Sequence, residues 1–204
     1  MPGNATLLPE LRKTKQQLKR SSDVSYINVK TRAPLTVMLA LGYTFPEVGG
    51  YHFKIEQITG NQTFIWQSDE PSSGLKFEVE EKGRKGKDLL IVFSIIDSAK
   101  ADVIELIQES SGLFSSIVYA EPENGPSKKA IRSAADATSL AENARELIQR
   151  SIKKYQSRTV HLVLYAPQVF CLFLGQKLNA LGEIVAYERT LKGNYTVSLT
   201  IQTG

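Results

Sequence analysis

Three short segments set polar or charged side chains where an apolar strand run gives way to an apolar helix run: Arg32-Ala33-Pro34, Asp97-Ser98 and Tyr165-Ala166-Pro167-Gln168. Turns of this kind hold anions. The first amide N–H groups of a helix have no internal partner, and the positive end of its dipole adds to their pull on phosphate. In open α/β sheets ligands collect beyond the carboxyl ends of the strands. The chemistry these residues suit is therefore phosphate and base recognition. Arg32 offers a guanidinium for a charge-assisted bond. Tyr165 offers a ring to stack on a base or a hydroxyl to bond it, and Pro167 and Gln168 open the helix that follows. Ser94, Ser98 and Lys100 lie on or just after the strongest strand run, and Tyr119 with the loop Ser127-Lys128-Lys129 follows the next one. Each residue also has a plainer role: Arg32 as a surface cation, Tyr165 as a half-buried strand end, the serines as helix caps, Lys100 and Lys128 as solvated charges.

The elements that must position these residues occur twice. Ala166-Pro167 stands 133 residues after Ala33-Pro34, and Leu174-Gly175 stands at the same distance after Leu41-Gly42. At that offset Arg32 corresponds to Tyr165, and the basic amphipathic segment 8–21 to segment 141–154. Each copy reads as helix, strand, Ala-Pro turn, apolar helix, Gly. The period is too long for a solenoid and predicts two fused copies of one α/β unit related by a pseudo-twofold. The whole chain, 1–204, is then a single domain with halves of about 8–87 and 88–204. A groove between such halves suits a nearly symmetric ligand.

The pattern predicts helices over 8–21, 34–45, 97–108, 133–155 and 167–181. Strands are predicted over 24–30, 51–57, 63–67, 75–80, 89–96, 117–119, 159–165, 184–189 and 196–202, with Gly60-Asn61 joining the hairpin of the second and third. Helix 34–45 is apolar on nearly every side and must be buried. Strand 89–96 is apolar on both faces, as a central parallel strand is. Ser133 and Asp136 are spaced as a capping box. Alternating strands and helices indicate α/β layering.

The totals bound the function. A formal net charge of +4 is compatible with an anionic small ligand and too weak to argue for duplex nucleic acid. No apolar run is long enough to span a bilayer, no export signal opens the chain, and the single Cys171 can form no internal disulfide. These features point to the cytoplasm and to no membrane partner. Trp66 and Tyr187 could stack on bases, but core packing explains them as well. Asp69 with Glu80-Glu81-Lys82 mimics nuclease spacing, yet Lys82 abuts the Gly83 turn, and no convergent metal set or catalytic group is legible. Lys82, Arg84, Lys85 and Lys87 read as a solvated hairpin tip. His52 and His161 are isolated, with packing or a backbone hydrogen bond expected for His161.

The segments 161–167, 174–179 and 186–188, supported by 40–43, 66–69 and 92–95, resemble a SAVED domain, and the similarity runs from about residue 8 onward. The resemblance implies two fused CARF-like, Rossmann-like halves. It implies a sensor that binds a cyclic oligonucleotide second messenger, of the cyclic oligoadenylate type, in the groove between them. Such sensors serve bacterial antiphage defence, both CBASS and type III CRISPR. It implies no catalytic residue, no cofactor beyond that ligand, and activation of a fused or associated effector such as a nuclease, TIR domain or protease. Ligand-induced homo-oligomers are expected. The repeat begins near Met1, which suggests a sensor cut from a longer protein or a separate subunit. The rival readings are a ring-cleaving enzyme of related fold and a ligand-free scaffold.

Overall fold

A computed structural model describes residues 2–21, 25–59 and 62–204. The chain order is α1 (Pro2–Ser21), β1 (Tyr26–Val29), α2 (Leu35–Thr44), β2 (His52–Thr59), β3 (Gln62–Gln67), β4 (Phe77–Gly83), β5 (Asp88–Ser94), α3 (Ile104–Glu109), β6 (Phe114–Pro122), α4 (Ala134–Tyr155), β7 (Thr159–Tyr165), α5 (Gln168–Gln176), β8 (Glu183–Arg189) and β9 (Tyr195–Gln202). Two sheets form, one in the order β1-β2-β3 and the other β4-β6-β5-β7-β8-β9.

The repeat is visible as topology. α1-β1-α2-β2-β3 and α4-β7-α5-β8-β9 share one element order. In each, the two strands flanking the second helix pair in parallel and the last strand returns antiparallel. The alignment shifts within the copy. Thr159 lies 133 residues beyond Tyr26, but their partners Glu183 and His52 are 131 apart. The first copy therefore has two more residues between α2 and β2, a stretch that includes the 3-10 turn Glu47–Gly49. Segments β4 to β6 extend only the second copy's sheet, so the two sheets part between β3 and β4, ahead of residue 87 where the sequence put the division between halves.

The packing of α2 against α5 is the most extensive contact between any two elements. Met38, Leu39 and Ala40 on α2, and Phe170, Cys171 and Leu172 on α5, are fully buried. The helices lie between the sheets: Phe45 meets Phe53 of the small sheet at 6.3 Å, and Phe170 meets Phe93 of the large sheet at 5.6 Å. They cross at Gly42 and Gly175. A Cβ on Gly42 would run into the Leu172 carbonyl oxygen and lie 2.9 Å from the Gly175 Cα. A Cβ on Gly175 would run into the Leu39 carbonyl oxygen and lie 3.0 Å from the Gly42 Cα. Leu39 and Leu172 are themselves equivalent in the repeat, so the crossing is its local twofold.

Several expected boundaries move. α1 begins at Pro2, with Pro9 inside it. α5 stops at Gln176 instead of 181, where the Lys177 N–H donates to Leu174 O and the Leu178 N–H to Gly175 O. The expected helix at 97 starts only at Ile104. Asp97 accepts from Ser98 N–H at 2.8 Å and Ser94 Oγ accepts from Ala99 N–H at 3.1 Å, which holds residues 95–103 in turns instead. Ser133 caps α4 by accepting from Asp136 N–H at 3.1 Å, but the Asp136 carboxylate accepts from Arg132 N–H rather than closing a box on Ser133. Gly60-Asn61 lies outside the described residues.

Because backbone blocks any side chain at the crossing, Gly42→Ala or Gly175→Ala should destabilise the fold by about 1–3 kcal/mol or more. Urea unfolding midpoints measure this. Wild-type midpoints in both variants would mean the helices can part without cost.

Candidate functional site

The carboxyl ends of β1 and β7 and the N-termini of α2 and α5 come together across the two halves. The Gln168 amide, at the first turn of α5, donates to the carbonyl oxygen of Ala33 in the turn before α2. Beside this bridge opens a cavity of about 460 Å³ lined by Lys30, Thr31, Arg32, Glu56, Gln57 and Gln168. Lys30 pairs with Glu56 at 3.0 Å. Arg32 is exposed at the rim. Pro167 is the N-cap of α5 and offers no side-chain acceptor of its own to the first amides of that helix. The chemistry on offer is cationic and donor-rich.

The opposite helix end differs. The Glu188 carboxylate, on β8, accepts from Thr36 N–H at 3.2 Å and from the Thr36 hydroxyl at 2.9 Å. The N-terminus of α2 thus meets a carboxylate from the other half. Arg32 and Gln168 line one cavity, but Tyr165 faces the other side of the large sheet, packed with Val197 against the cluster around α3. Its ring sits 5.8 Å from the Arg189 guanidinium, which in turn pairs with Asp102 at 3.1 Å.

The residues after β5 and β6 form a separate group. Ser94 is fully buried, with its hydroxyl engaged in the turn described above. The Ser98 hydroxyl donates to Glu121 at 2.7 Å. Lys100 lies 3.0 Å from Glu80 and 3.7 Å from Glu121. The bond to Glu80 raises the Lys100 pKa, and the bonds to Lys100 and Lys82 lower that of Glu80. Tyr119 is buried beneath Lys82 and Lys100, with their ammonium groups 5.2 and 5.7 Å from its ring centre. These cations already have anionic partners, so a phosphate would compete with Glu80 and Glu121 for them. Lys128 is exposed on a loop anchored to the end of β5 by the bond from Ser127 N–H to Ile95 O, 2.8 Å.

The remaining candidates resolve by burial. Trp66 packs against the core. Tyr187 is buried, and burial pushes its hydroxyl up to about 12. His161 is bonded to side chains rather than backbone: Nδ1 lies 2.8 Å from the Tyr187 hydroxyl and Nε2 3.3 Å from the Asp88 carboxylate. Asp69 accepts from Tyr26 at 2.5 Å, while Glu81 bonds Lys154 and Tyr155. Among the described residues no group of three or more His, Cys, Asp or Glu could hold a metal ion, and no helix is long and apolar enough to cross a membrane. Lys30, Thr36, Gln57 and Glu188 were missed in the sequence. Gln57 aligns with Glu188 only once the repeat is allowed its two-residue shift.

A doubled α/β unit with a polar cavity at the junction of its copies is suited to holding a polar ligand there. Residues 9–201 match the SAVED family, the SMODS-associated and fused to various effectors sensor domain, and the chain belongs to it. It is 24% identical over 208 residues to CD-NTase-associated protein 4 of Enterobacter hormaechei subsp. hoffmannii (strain UCI 50), an alignment covering 98% of this chain and 39% of that protein. Its fold is that of the Cap4 SAVED/CARF-domain containing receptor of Acinetobacter baumannii. The structure of that receptor with the cyclic trinucleotide 2′3′3′-cAAA matches at a TM-score of 0.81 and 18% identity, covering 96% of this chain and 42% of the receptor. Its structure with 3′3′3′-cAAA matches at 0.81 and 17%, with the same coverage. The chain thus spans about two fifths of the length of these relatives.

Burial lowers the His161 pKa, outweighing the raising effect of Asp88. The unfolded chain therefore binds a proton there that the folded chain resists, and stability falls as pH drops below the ordinary histidine value near 6.5. His161→Gln should flatten the loss of stability between about pH 7 and pH 5, read from urea midpoints. An unchanged slope would place the pH dependence elsewhere.

Proposed function

We propose that this chain binds a cyclic oligonucleotide at the cavity between its halves and passes that signal to an effector in bacterial antiphage defence of the CBASS type. The observation that carries the reading is the cavity itself, where Arg32 and Lys30 from one half face the α5 N-terminus and Gln168 from the other. Cations beside a helix N-terminus favour phosphate, and about 460 Å³ is within the range of ligand pockets. The A. baumannii receptor of the same fold, seen with two cyclic trinucleotides, suggests a cyclic oligoadenylate as the ligand. The other ligand contacts we propose are Pro167 at the α5 cap, with Tyr165, Ser98, Lys100, Tyr119 and Lys128 along the carboxyl ends of the large sheet. Ser94, being buried, acts by shaping its turn.

The chain performs no reaction of its own in this reading. The cavity lining offers Lys30, Arg32 and Glu56 as titratable groups, and Lys30 and Glu56 are paired with each other. A nucleophile with an adjacent base is absent from that set. Activity belongs to an effector, fused or recruited.

Arg32→Ala should weaken binding of 2′3′3′- or 3′3′3′-linked cyclic triadenylate by about 1.5–3 kcal/mol, the worth of a hydrogen bond to a charged group. Titration calorimetry measures it, and unchanged affinity in a folded variant would return Arg32 to the role of a surface cation. Chromatography of the ligand after incubation should recover it as an intact ring.

The cavity is too small to enclose a ring of three nucleotides, so ligand surface remains uncovered at the rim. A second copy covering that surface would couple binding to assembly, each strengthening the other by the same factor. Sedimentation at matched protein concentration should show a monomer without cyclic triadenylate, and dimers or open head-to-tail chains with it. A single unchanged species at saturating ligand would leave a switch within one copy.

A further inference from the structure

The two helix N-termini at the groove are equivalent in the repeat and differ in what faces them. The strand registers place Ile55 at the position of Ala186, since Val29 pairs with Ile55 and its equivalent Leu162 with Ala186. Two residues on, Gln57 stands where Glu188 stands. Glu188 Oε2 is held by the Thr36 amide and hydroxyl, and that hydroxyl also lies 3.0 Å from Ser198 Oγ. Among the described residues no lysine or arginine pairs with Glu188. At the α5 end the corresponding side chain is the neutral Gln57, and it lines the open cavity beside Arg32 and Gln168.

We propose that Glu188 is a specificity-determining residue, a built-in anion that closes the α2 end of the groove to phosphate and confines the ligand's phosphates to the side of Arg32 and Gln57. The inference rests on the sensor reading above. Holding α2 in place needs only an acceptor for Thr36, which a glutamine oxygen supplies as well. The negative charge adds something capping does not require. It repels a second anion at the same amides, because like charges a few ångströms apart oppose each other even near a protein surface. A groove with two equal ends would take a near-symmetric ring in either of two orientations. One end carrying a carboxylate removes one of them, which is discrimination by repulsion. Glu188 is half-buried and its carboxylate is held by two bonds to Thr36, itself 2% exposed, so the charge is fixed where it acts.

Three variants separate charge from capping. Glu188→Gln keeps the acceptor and removes the charge. Thr36→Val removes the side-chain donor and keeps the charge. Gln57→Glu writes the same carboxylate into the other half. Affinity for 3′3′3′-linked cyclic triadenylate is measured by calorimetry at two salt concentrations, with urea midpoints to verify folding. Glu188→Gln should bind about three- to tenfold tighter, the range of a charge at a helix terminus, and with a steeper salt dependence, because salt no longer relieves a repulsion. Gln57→Glu should bind about tenfold weaker or worse, and Thr36→Val should stay close to wild type. The inference is overturned if Glu188→Gln and Thr36→Val behave alike with unchanged salt dependence, for then Glu188 only caps α2. It is also overturned if Gln57→Glu binds as wild type. A wild-type chain that binds no cyclic triadenylate is a different result, removing the sensor reading and this inference with it.

Discussion

The backbone contact between α2 and α5 at Gly42 and Gly175 is the constraint on which the rest of the structure depends. Glycine inside a helix costs about 1 kcal/mol relative to alanine, and here it occurs at both equivalent positions. Close approach offsets that cost by letting two helices that are apolar all round seal against each other and against both sheets. The same approach brings the N-termini of the two helices to one place. The Ala33 and Ala166 turns, from halves far apart in the chain, then frame a single site. A wider crossing would leave two separate turns with no cavity between them.

Around that crossing the polar groups divide into two populations. Away from the groove several bond directly from one half to the other. The buried Gln176 amide donates to Phe45 O at 3.2 Å and Tyr51 O at 2.9 Å, and Lys177, 8% exposed, pairs with Glu47 at 2.5 Å. The Tyr43 hydroxyl donates to Gln202 O at 2.6 Å. These bonds tie the halves at the C-terminal ends of the helices. At the N-terminal ends Gln168 bonds Ala33, and Thr36 bonds both Glu188 and Ser198, with a cavity beside them. A ligand in that cavity would touch both halves at once.

The doubling is imperfect in ways that matter. β7 is paired on both sides, by β5 and β8, whereas the equivalent β1 is paired only by β2 among the described residues. Lys100, beyond β5, faces Glu80 and Glu121, while Arg32 on the small-sheet side lines open space. Two copies of one unit have thus become one groove with distinguishable ends.

The sequence by itself determined the doubling, the buried apolar helices and the α/β alternation. These reside in periodicity and in a repeated Ala-Pro…Leu-Gly spacing, which local sterics and burial translate directly into strands, turns and helices. Arg32 and Gln168 were legible as groove residues for the same reason, because each adjoins an Ala-Pro turn. Only the tertiary structure decided what each polar residue meets within the chain. Tyr165 was readable as the counterpart of Arg32, but strand alternation turns its ring to the α3 side of the sheet. Ser98 and Lys100 had the right residue types after the right strand, yet their anionic partners come from β4 and β6, at separations no local pattern records. Glu188 reaches Thr36 across 152 residues. Local pattern specifies what an element is, whereas the partner of a charge depends on which elements the core draws together, and that is a property of the packed chain.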